Sequence, residues 1–439
     1  MNYKLFAKNT SWIIGGRLFS MMIGVVITAL TARYLGASNF GLLAYASSIV
    51  AMFTAISTLG LRDTLVNELK DEPNKYDEIL GTSILMRFMA SIACMLLIYI
   101  VVILLEPDSK LLIILVSFYS SALIFKSINL IDLWYLSNLN SKIVIILNFI
   151  VYISVSVYRV VILYFEMGIE WFAFTMLLEV ILSSALLLYH FSYRLNFRLK
   201  FNRRLIIPML SRSKPYIYSG IMIALYTQID RVMIGKMLDS SSVGFYSAGV
   251  AICSLWTFVL FAIIESSRPV IIDSRNISLK LYELNIKRLY ALVIWLSIFA
   301  AIFISFFSEF IILILYGQSF LPATNTLMIL TWCTIFSFLG VAKSIWLISE
   351  GKQRYEKWFT FIGLVFNLIL NYFLIPVLGI EGAAISTLVT QFLTNFLVPL
   401  IIKDTRKTSL FMIDALLLRN VISRKECDRL FLFFTNYLK

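Results

Sequence analysis

The chain has little histidine, cysteine and charge for its length. Among its 439 residues there are one histidine and four cysteines, and only 14% of the residues are charged, whereas 60% are hydrophobic. The cysteines show neither paired nor metal-ligand spacing, so we expect no disulfide framework and no metal site. The single histidine, His190, lies near the end of an apolar run, where an interface residue is expected rather than a catalytic base. A soluble domain could not bury so large an apolar fraction, which predicts a membrane protein.

The positive charge of the chain fits this prediction. A formal net charge of +13 is by itself typical of nucleic-acid binding, but the basic residues lie mainly between long apolar runs, so no nucleic-acid partner is expected. A membrane-spanning helix requires about 20 apolar residues. The fold class is therefore predicted as an all-α polytopic membrane protein with about 12 transmembrane helices. The predicted spans are 11–34, 40–60, 79–104, 111–134, 142–165, 171–193, 215–236, 243–267, 289–315, 324–348, 355–378 and 381–403.

Loop charges predict the orientation of these spans. With both termini in the cytoplasm, nearly all loop lysines and arginines fall on the inner side, as the positive-inside rule requires. The outer loops are all short and offer no extracytoplasmic domain that could carry catalytic residues. We therefore predict a multi-pass protein with cytoplasmic termini that is not an enzyme.

The two halves of the chain resemble each other. ARYLGASNFGLLAYA, from Ala32, aligns with GKMLDSSSVGFYSAG, from Gly235, and MGIEWFAF, from Met167, aligns with LGIEGAAI, from Leu378. Each half then holds six helices, so both insert in the same direction and are related by a pseudo-two-fold axis along the membrane normal. The predicted domains are an N-terminal six-helix bundle over 1–193, a basic cytoplasmic linker over 194–214, a C-terminal six-helix bundle over 215–403 and a cytoplasmic tail over 404–439.

Charged residues interrupt the apolar runs well inside their length. A charge at the bilayer centre costs about 2.5–3.5 kcal/mol on insertion scales, so such residues face protein or a watery cavity. Cations outnumber acids among them, which favours a cavity that holds an anion. The residues are Arg17, Arg87, Lys126, Arg159, Arg231 and Lys343, against Asp132, Glu179, Asp230, Glu265 and Glu309.

An inner cluster of three cations, Arg17, Arg87 and Lys126, is predicted in the cytoplasmic half of the first bundle. Thr28 shares a helix face with Arg17, a stripe that suits either a cavity or close helix packing. Lys343 lies near the inner end of its helix, and we expect it to snorkel to the interface. The predicted substrate-binding residues are Arg17, Thr28, Arg87, Lys126 and Asn129, together with Asn367 and Asn371, which hydrogen-bond either a polar ligand or a neighbouring helix.

The remaining charged residues are candidates for gating or ion coupling. A membrane carboxylate can take up a proton or sodium ion, or it can neutralise a nearby cation. Arg159 and Glu179 fall at similar depth, and a structural salt bridge is expected between them. Asp230 and Arg231 lie near the outer end of the span 215–236. They could form an ion pair or an outer gate, or Arg231 could snorkel to the outer interface. The candidates are Asp132, Arg159, Glu179, Asp230 and Arg231.

Two segments resemble a known family. KNTSWIIGGRLFSMMIGVVITALTARYLGASNFGLLAYASSIVAMFTAISTLGLRD, near the N-terminus, and IDRVMIGKMLDSSSVGFYSAG, in the second half, are similar to O-antigen and capsule repeat-unit flippases. These are polysaccharide transporters of the multidrug/oligosaccharidyl-lipid/polysaccharide exporter superfamily. The resemblance covers about residues 1–405. Arg17 occupies a first-helix position where related flippases often place arginine.

The resemblance implies a carrier in the bacterial cytoplasmic (inner) membrane. It would move an undecaprenyl-diphosphate-linked oligosaccharide from the inner to the outer leaflet by alternating access, without a cofactor and with coupling to H+ or Na+. Arginine's fork suits phosphate oxygens, in agreement with the inner cluster. The implied partners are this lipid-linked oligosaccharide, membrane lipids and other glycan-assembly proteins.

Three alternatives belong beside this interpretation. A drug exporter of the same superfamily often carries cations, which a cavity rich in arginine and lysine would repel. A membrane polysaccharide polymerase or ligase would need a sizeable outer loop with catalytic residues. A scaffold for a glycan-assembly complex, without transport activity, stays open because the resemblance does not cover the tail after about residue 405.

Overall fold

The computed structural model describes residues 3–138, 140–195 and 199–419, which contain helices and no strands. Side chains are described from Ile23 onward, except those of Asp63 and Leu195. The helices are α1 Tyr3–Thr58, α2 Leu61–Asp71, α3 Tyr76–Leu105, α4 Lys110–Phe125, α5 Ile131–Ser137, α6 Ser141–Tyr164, α7 Ile169–Leu195, α8 Arg203–Met237, α9 Ser240–Ile277, α10 Leu279–Leu315, α11 Ala323–Ser349, α12 Arg354–Phe392, α13 Val398–Ile401 and α14 Arg406–Leu416.

The helices accommodate all the predicted spans. Eight helical segments of the described chain are long and apolar enough to cross a membrane, and the bent pair of α4 and α5 makes a ninth. Gly36 in α1 and Gly379 in α12 have positive φ angles of 70° and 62°, and each divides a long helix at a predicted outer loop. With both helices divided, and with α8 over the span 215–236, the predicted all-α fold of about 12 transmembrane helices is confirmed.

The two sequence repeats meet at a reciprocal glycine crossing. A Cβ added at Gly41 would overlap the carbonyl oxygen of Ser240, and one added at Gly244 would overlap that of Ala37. The repeat alignment pairs Gly41 with Gly244 and Ala37 with Ser240. The contact of Gly41 with Ser240 and the contact of Gly244 with Ala37 are therefore equivalent under the repeat. Such reciprocity is the property of an interface with two-fold symmetry. At this crossing the repeats are therefore related by a local two-fold.

Contacts divide the chain into two compact units, residues 1–247 and 248–439. Helix α8 belongs to the first unit because it packs along the second half of α1, with Gly220 against Ala55 and Gly235 against the ring of Tyr45. The first unit thus extends beyond the linker at which we placed the domain boundary. The two six-helix bundles stay a prediction.

The second unit includes part of the predicted tail. Helix α14 packs into the hydrophobic core formed with α10, α11 and α12, where Phe411 and Met412 are buried. The Lys287 ammonium lies 2.6 Å from the Asp414 carboxylate, and a hydrogen bond of 2.7 Å joins the hydroxyls of Tyr290 and Thr408. Residues 406–416 are therefore part of the fold of this unit.

Candidate functional site

A polar cavity of about 280 Å³ lies within the first unit. The second half of α1, the start of α2, α3 and the break between α4 and α5 contribute its walls. Three cations and one carboxylate line it, so its formal charge is positive. The lining residues are Thr54, Thr58, Arg62, Arg87, Lys126, Asn129, Leu130, Asp132 and Leu133.

A broken helix supplies half of the charged wall. Helix α4 ends at Phe125, a 3-10 turn covers Ile128–Leu130, and α5 continues at an angle of 41°. At the break, the Ser127 hydroxyl donates to the carbonyl oxygen of Ile124 at 2.6 Å. Irregular backbone at membrane depth is tolerated where it lines a cavity, and broken helices of this kind recur at transporter binding sites. The sequence predicted one continuous span over 111–134 and missed the break.

Helix α7 positions the break. The Ser184 Oγ lies 2.9 Å from both the Asn129 Oδ1 and the carbonyl oxygen of Phe125, and its single proton can be donated to either. The Asn129 amide nitrogen in turn donates to the Ser183 hydroxyl at 3.5 Å. Because Asn129 is tied on both sides of its amide, Lys126 and Asp132 on either side of it have a defined place in the cavity wall.

The cations of the cavity have few protein partners. Arg87 is only 8% exposed, and its Nε has no hydrogen-bond partner among the described residues. No described carboxylate lies within 4.0 Å of the charged groups of Arg62, Arg87 or Lys126. Asp132 interacts electrostatically with both arginines at longer range. Arg87 is buried and Lys126 is half-buried, whereas Arg62 is exposed. A cation without a close protein carboxylate is a donor available to an anionic ligand.

Sequence reasoning missed Arg62, which it assigned to an inner loop. Leu59 and Gly60 both adopt left-handed conformations, with φ angles of 51° and 58°, and α2 begins directly after this turn. The turn brings Arg62 to the cavity beside Arg87 and Asp132. The signal in the sequence was the glycine in TLGLRD, which permits such a turn.

The other predicted binding residues lie elsewhere. The side chain of Arg17 is outside the described residues, and Thr28 is half-buried on α1 but is not part of the cavity lining. Asn367 and Asn371 are buried in α12. Asn371 donates to the Asn367 Oδ1 at 3.2 Å, and Asn367 donates to the Thr387 hydroxyl at 3.4 Å. Their observed partners are thus side chains within the same unit, and ligand binding by them stays a prediction.

The gating candidates form local contacts. The Arg159 Nη2 lies 3.8 Å from the Glu179 Oε2, which is the expected pairing, and Glu179 also acts electrostatically on Lys126. The Asp230 carboxylate accepts a hydrogen bond of 2.7 Å from the Tyr246 hydroxyl. Arg231 donates to the Gln228 side-chain oxygen at 3.1 Å. Roles in gating or ion coupling stay predictions for all five candidates.

The prediction for Lys343 is wrong. This lysine is fully buried rather than snorkelling. Its ammonium donates to the Asn395 Oδ1 at 3.0 Å and to the carbonyl oxygen of Thr394 at 3.3 Å, and it lies 4.3 Å from the centre of the Phe359 ring. Both oxygens belong to the π-helical segment Leu393–Leu397, whose wider turn presents them to α11. Lys343 remains buried because two oxygens accept hydrogen bonds from its ammonium and an aromatic ring lies beside it.

The fold and this cavity define a class of protein, a multi-pass helical membrane protein with a cationic cavity among its helices. A family described as "Polysaccharide biosynthesis protein" matches residues 6–274, more than half of the chain, and the chain belongs to this family. We predicted that the chain is not an enzyme, and the structural neighbours below are named as a flippase and as transporters.

Solved structures share the fold. Lipid II flippase MurJ, in an inward closed conformation, has a TM-score of 0.72 at 17% sequence identity, over 92% of this chain and 91% of that chain. An inward-facing multidrug resistance MATE family transporter of the MOP superfamily has a TM-score of 0.67 at 11% identity, over 90% and 95%. A MOP superfamily transporter from Pyrococcus furiosus, described as having a binding pocket of reverse polarity, has a TM-score of 0.53 at 12% identity, over 92% and 96%.

One curated relative matches over a short stretch. An uncharacterized membrane protein of Methanocaldococcus jannaschii is 36% identical over 106 residues, which is 24% of this chain. The chain spans 20% of the length of that relative.

Proposed function

We propose that this protein is a flippase that carries undecaprenyl-diphosphate-linked oligosaccharide repeat units from the inner to the outer leaflet of a bacterial cytoplasmic membrane. The observation that carries the proposal is the cavity, where Arg62, Arg87 and Lys126 lack close carboxylate partners among the described residues. A diphosphate supplies several acceptor oxygens, and arginine can engage them bidentately. Family membership supports a role in polysaccharide export.

The predicted orientation would put the cavity where such a cargo loads. With cytoplasmic termini, Arg62 and the break at Lys126 fall toward the inner side of the membrane, where lipid-linked sugars are assembled. The cavity volume of about 280 Å³ suits the diphosphate, and leaves the further sugars and the isoprenoid tail outside it. Alternating access would then expose the bound headgroup to the outer side, with coupling to H+ or Na+ through a membrane carboxylate such as Asp132.

A cation exporter is the second candidate, and the charge of the cavity disfavours it. Three cations and one carboxylate would repel a cationic drug. The same charges attract a diphosphate, because opposite charges at close range in a partly desolvated site interact more strongly than in water. O-antigen, capsule and exopolysaccharide units all carry the diphosphate, so this chemistry selects the lipid carrier and not the sugar.

Binding of farnesyl diphosphate to the purified protein tests the proposal. A charge-assisted hydrogen bond is worth about 1.5–3 kcal/mol, so Arg87→Gln should weaken binding by about 10- to 100-fold. Lys110→Gln is the matched control, because Lys110 is an exposed cation at the far end of α4. Equal affinity of the two variants, or no binding by the parent protein, would contradict the proposal.

Deletion of the gene gives the cellular test. Lipid-linked repeat units should accumulate in the inner leaflet of the deletion strain, and surface glycan should decrease. Normal levels of both would exclude the flippase function.

A further inference from the structure

Helix α2 carries Arg62. Its apolar side is buried in a core shared with α3 and the broken helix, and another side contacts α8. Gly60, Thr64 and Glu68 are spaced four residues apart, so they share a side of the helix. A hydrogen bond of 3.1 Å joins the hydroxyls of Thr64 and Ser213, and the Arg212 Nη1 lies 3.1 Å from the Glu68 Oε1. We call this contact the α2–α8 seam. It consists of Gly60, Thr64 and Glu68 on α2 and of Arg212, Ser213 and Tyr216 on α8.

The seam is close-packed at the turn that directs Arg62. A Cβ added at Gly60 would lie 2.9 Å from the Tyr216 Cβ and 3.0 Å from the Ile217 backbone nitrogen. The preceding Leu59 is left-handed, a conformation that a side-chain-bearing residue adopts only where its surroundings impose it. Contacts of α8 at Gly60, together with packing of Leu59 on the core of the unit, hold a turn that α2 would not adopt by preference. If α8 withdrew, the turn could relax and carry Arg62 away from the cavity.

The other binding groups have a different anchor. Asn129, between Lys126 and Asp132, is hydrogen-bonded to Ser183 and Ser184 of α7. Helix α2 itself also packs on the broken helix, because Leu61 and Leu65 are buried in a core that they share with Leu130 and Ile131. Opening of the contact with α8 would thus release the turn at Leu59 and Gly60 and the side chain of Arg62, while this core keeps the broken helix in place. Helix α8 is also the first helix of the second sequence repeat, which in an alternating-access cycle changes its contacts with the first.

We propose that the α2–α8 seam controls the affinity of the cavity for a diphosphate by placing Arg62 within it. With the seam closed, three cations face the ligand; with the seam open, two remain. A carrier must bind its cargo with different affinity in its two conformations, because a ligand that binds both equally shifts nothing. This inference rests on the proposed function, since it assigns the regulation of the same cavity.

The carboxylate of the seam affects the choice of conditions. Burial raises the pKa of Glu68, although the adjacent Arg212 acts in the opposite direction. Binding measurements at pH 8 keep a carboxylate at either position ionised. Arg212→Glu then opposes Glu68 with a like charge and opens the seam, and because the Arg212 side chain is 66% exposed, the substitution leaves the core intact.

A double-mutant cycle tests the proposal with farnesyl diphosphate as the probe. Arg62→Gln and Arg212→Glu should each weaken binding by about 10-fold or more, and the double variant should bind no more weakly than Arg62→Gln alone. Additive losses would assign the seam a purely structural role and overturn the proposal, as would an Arg212→Glu variant with parental affinity. No binding by the parent protein would instead contradict the proposed function.

Lys200→Glu provides the matched control for charge reversal. Lys200 pairs with Asp77 at 3.4 Å on the same side of the unit and is 57% exposed, but it contacts α3 rather than α2. The affinity of the Lys200→Glu variant for farnesyl diphosphate should stay within about two-fold of that of the parent protein.

A disulfide gives a second, independent measurement. Thr64→Cys with Ser213→Cys, in a chain whose native cysteines are replaced, places two thiols where hydroxyls are 3.1 Å apart. Oxidation should retain binding of farnesyl diphosphate and stop export of lipid-linked sugar, and reduction should restore export. Export that continues with the seam locked would overturn the proposal.

Discussion

Lys126 in the first unit and Lys343 in the second both interrupt long apolar segments, but the surroundings of their ammonium groups differ. Lys126 directly follows the last residue of α4 at a helix break, lines a cavity and has no described carboxylate within 4.0 Å of its ammonium. Lys343 is fully buried, and a π-helical carbonyl, an asparagine and an aromatic ring surround its ammonium. A lysine inside a membrane protein is thus a candidate for ligand binding only where the protein leaves its donors unused. The difference lies in the irregular backbone nearby, which opens a cavity at one lysine and satisfies the other.

Replacing each lysine with glutamate should give the largest difference between the two sites, in the amount of folded protein. Lys343→Glu places a carboxylate against two acceptor oxygens in a closed core, which costs about 3–5 kcal/mol, a large part of the total stability of a folded protein. We expect almost no folded protein in the membrane. Lys126→Glu should accumulate normally and fail to export. Fluorescence size-exclusion profiles of the two variants check this, and normal folding of Lys343→Glu would remove the distinction.

Neutral substitutions should separate binding from folding. Lys126→Gln should weaken binding of farnesyl diphosphate by about 10- to 100-fold, because it removes one charge-assisted contact of about 1.5–3 kcal/mol. Lys343→Gln should leave the affinity of the folded fraction within about two-fold. Calorimetric titration of both purified proteins gives the comparison. A similar loss in the two variants would mean that Lys343 also affects the cavity.

Filling the space beside Lys343 should affect stability alone. A Cβ at Gly340 would overlap the side-chain oxygen of Asn395, so Gly340→Ala displaces the main partner of the lysine. Overpacking of this kind costs about 1–3 kcal/mol, and the melting temperature in detergent should fall while binding is retained. Asn129→Leu is the counterpart in the first unit, and there the affinity should fall as well. A Gly340→Ala variant as stable as the parent would show that Asn395 has room to move.

Removing the carboxylate of the cavity should give the smallest effect, in the opposite direction. Asp132 opposes an incoming anion, so Asp132→Asn should strengthen binding of farnesyl diphosphate several-fold, which corresponds to about 1 kcal/mol. Glu356, the carboxylate that acts on Lys343, is the control. Glu356→Gln should leave the affinity unchanged. Weaker binding by Asp132→Asn would instead indicate that this carboxylate orients the neighbouring arginines.

Side-chain spacing along a span and the internal repeat account for what could be predicted from the sequence. Lys126, Asn129 and Asp132 follow one another at intervals of three, and the cavity brings them together with Arg87 as expected. The repeat alignment likewise paired Gly41 with Gly244, which meet at the crossing. The spacing of three residues survives the break because it matches the repeat of a 3-10 turn as well as one face of an α-helix. The glycine pairing follows from the alignment of the two halves.

Irregular backbone accounts for what could not be predicted. Arg62 reaches the cavity only through the left-handed turn at Leu59 and Gly60. The acceptors of Lys343 lie about 50 residues further along the chain, in a π-helical segment whose sequence, LTNFL, resembles ordinary helix. Helical spacing could predict neither the position of Arg62 nor the acceptors of Lys343. Both depend on backbone that departs from the α-helical repeat and on which helix packs beside that backbone.

The glycine crossing between Gly41 and Gly244 has a consequence for how the two halves of such a chain can diverge. Each glycine faces a backbone carbonyl of the opposite repeat, and no compensating side-chain change there can make room for a Cβ. When a segment is duplicated within one gene, a residue in one copy is usually free to change while the other copy retains the original residue. At this point neither copy has that freedom, and the ancestral duplication would remain visible here after most of the surrounding sequence has drifted.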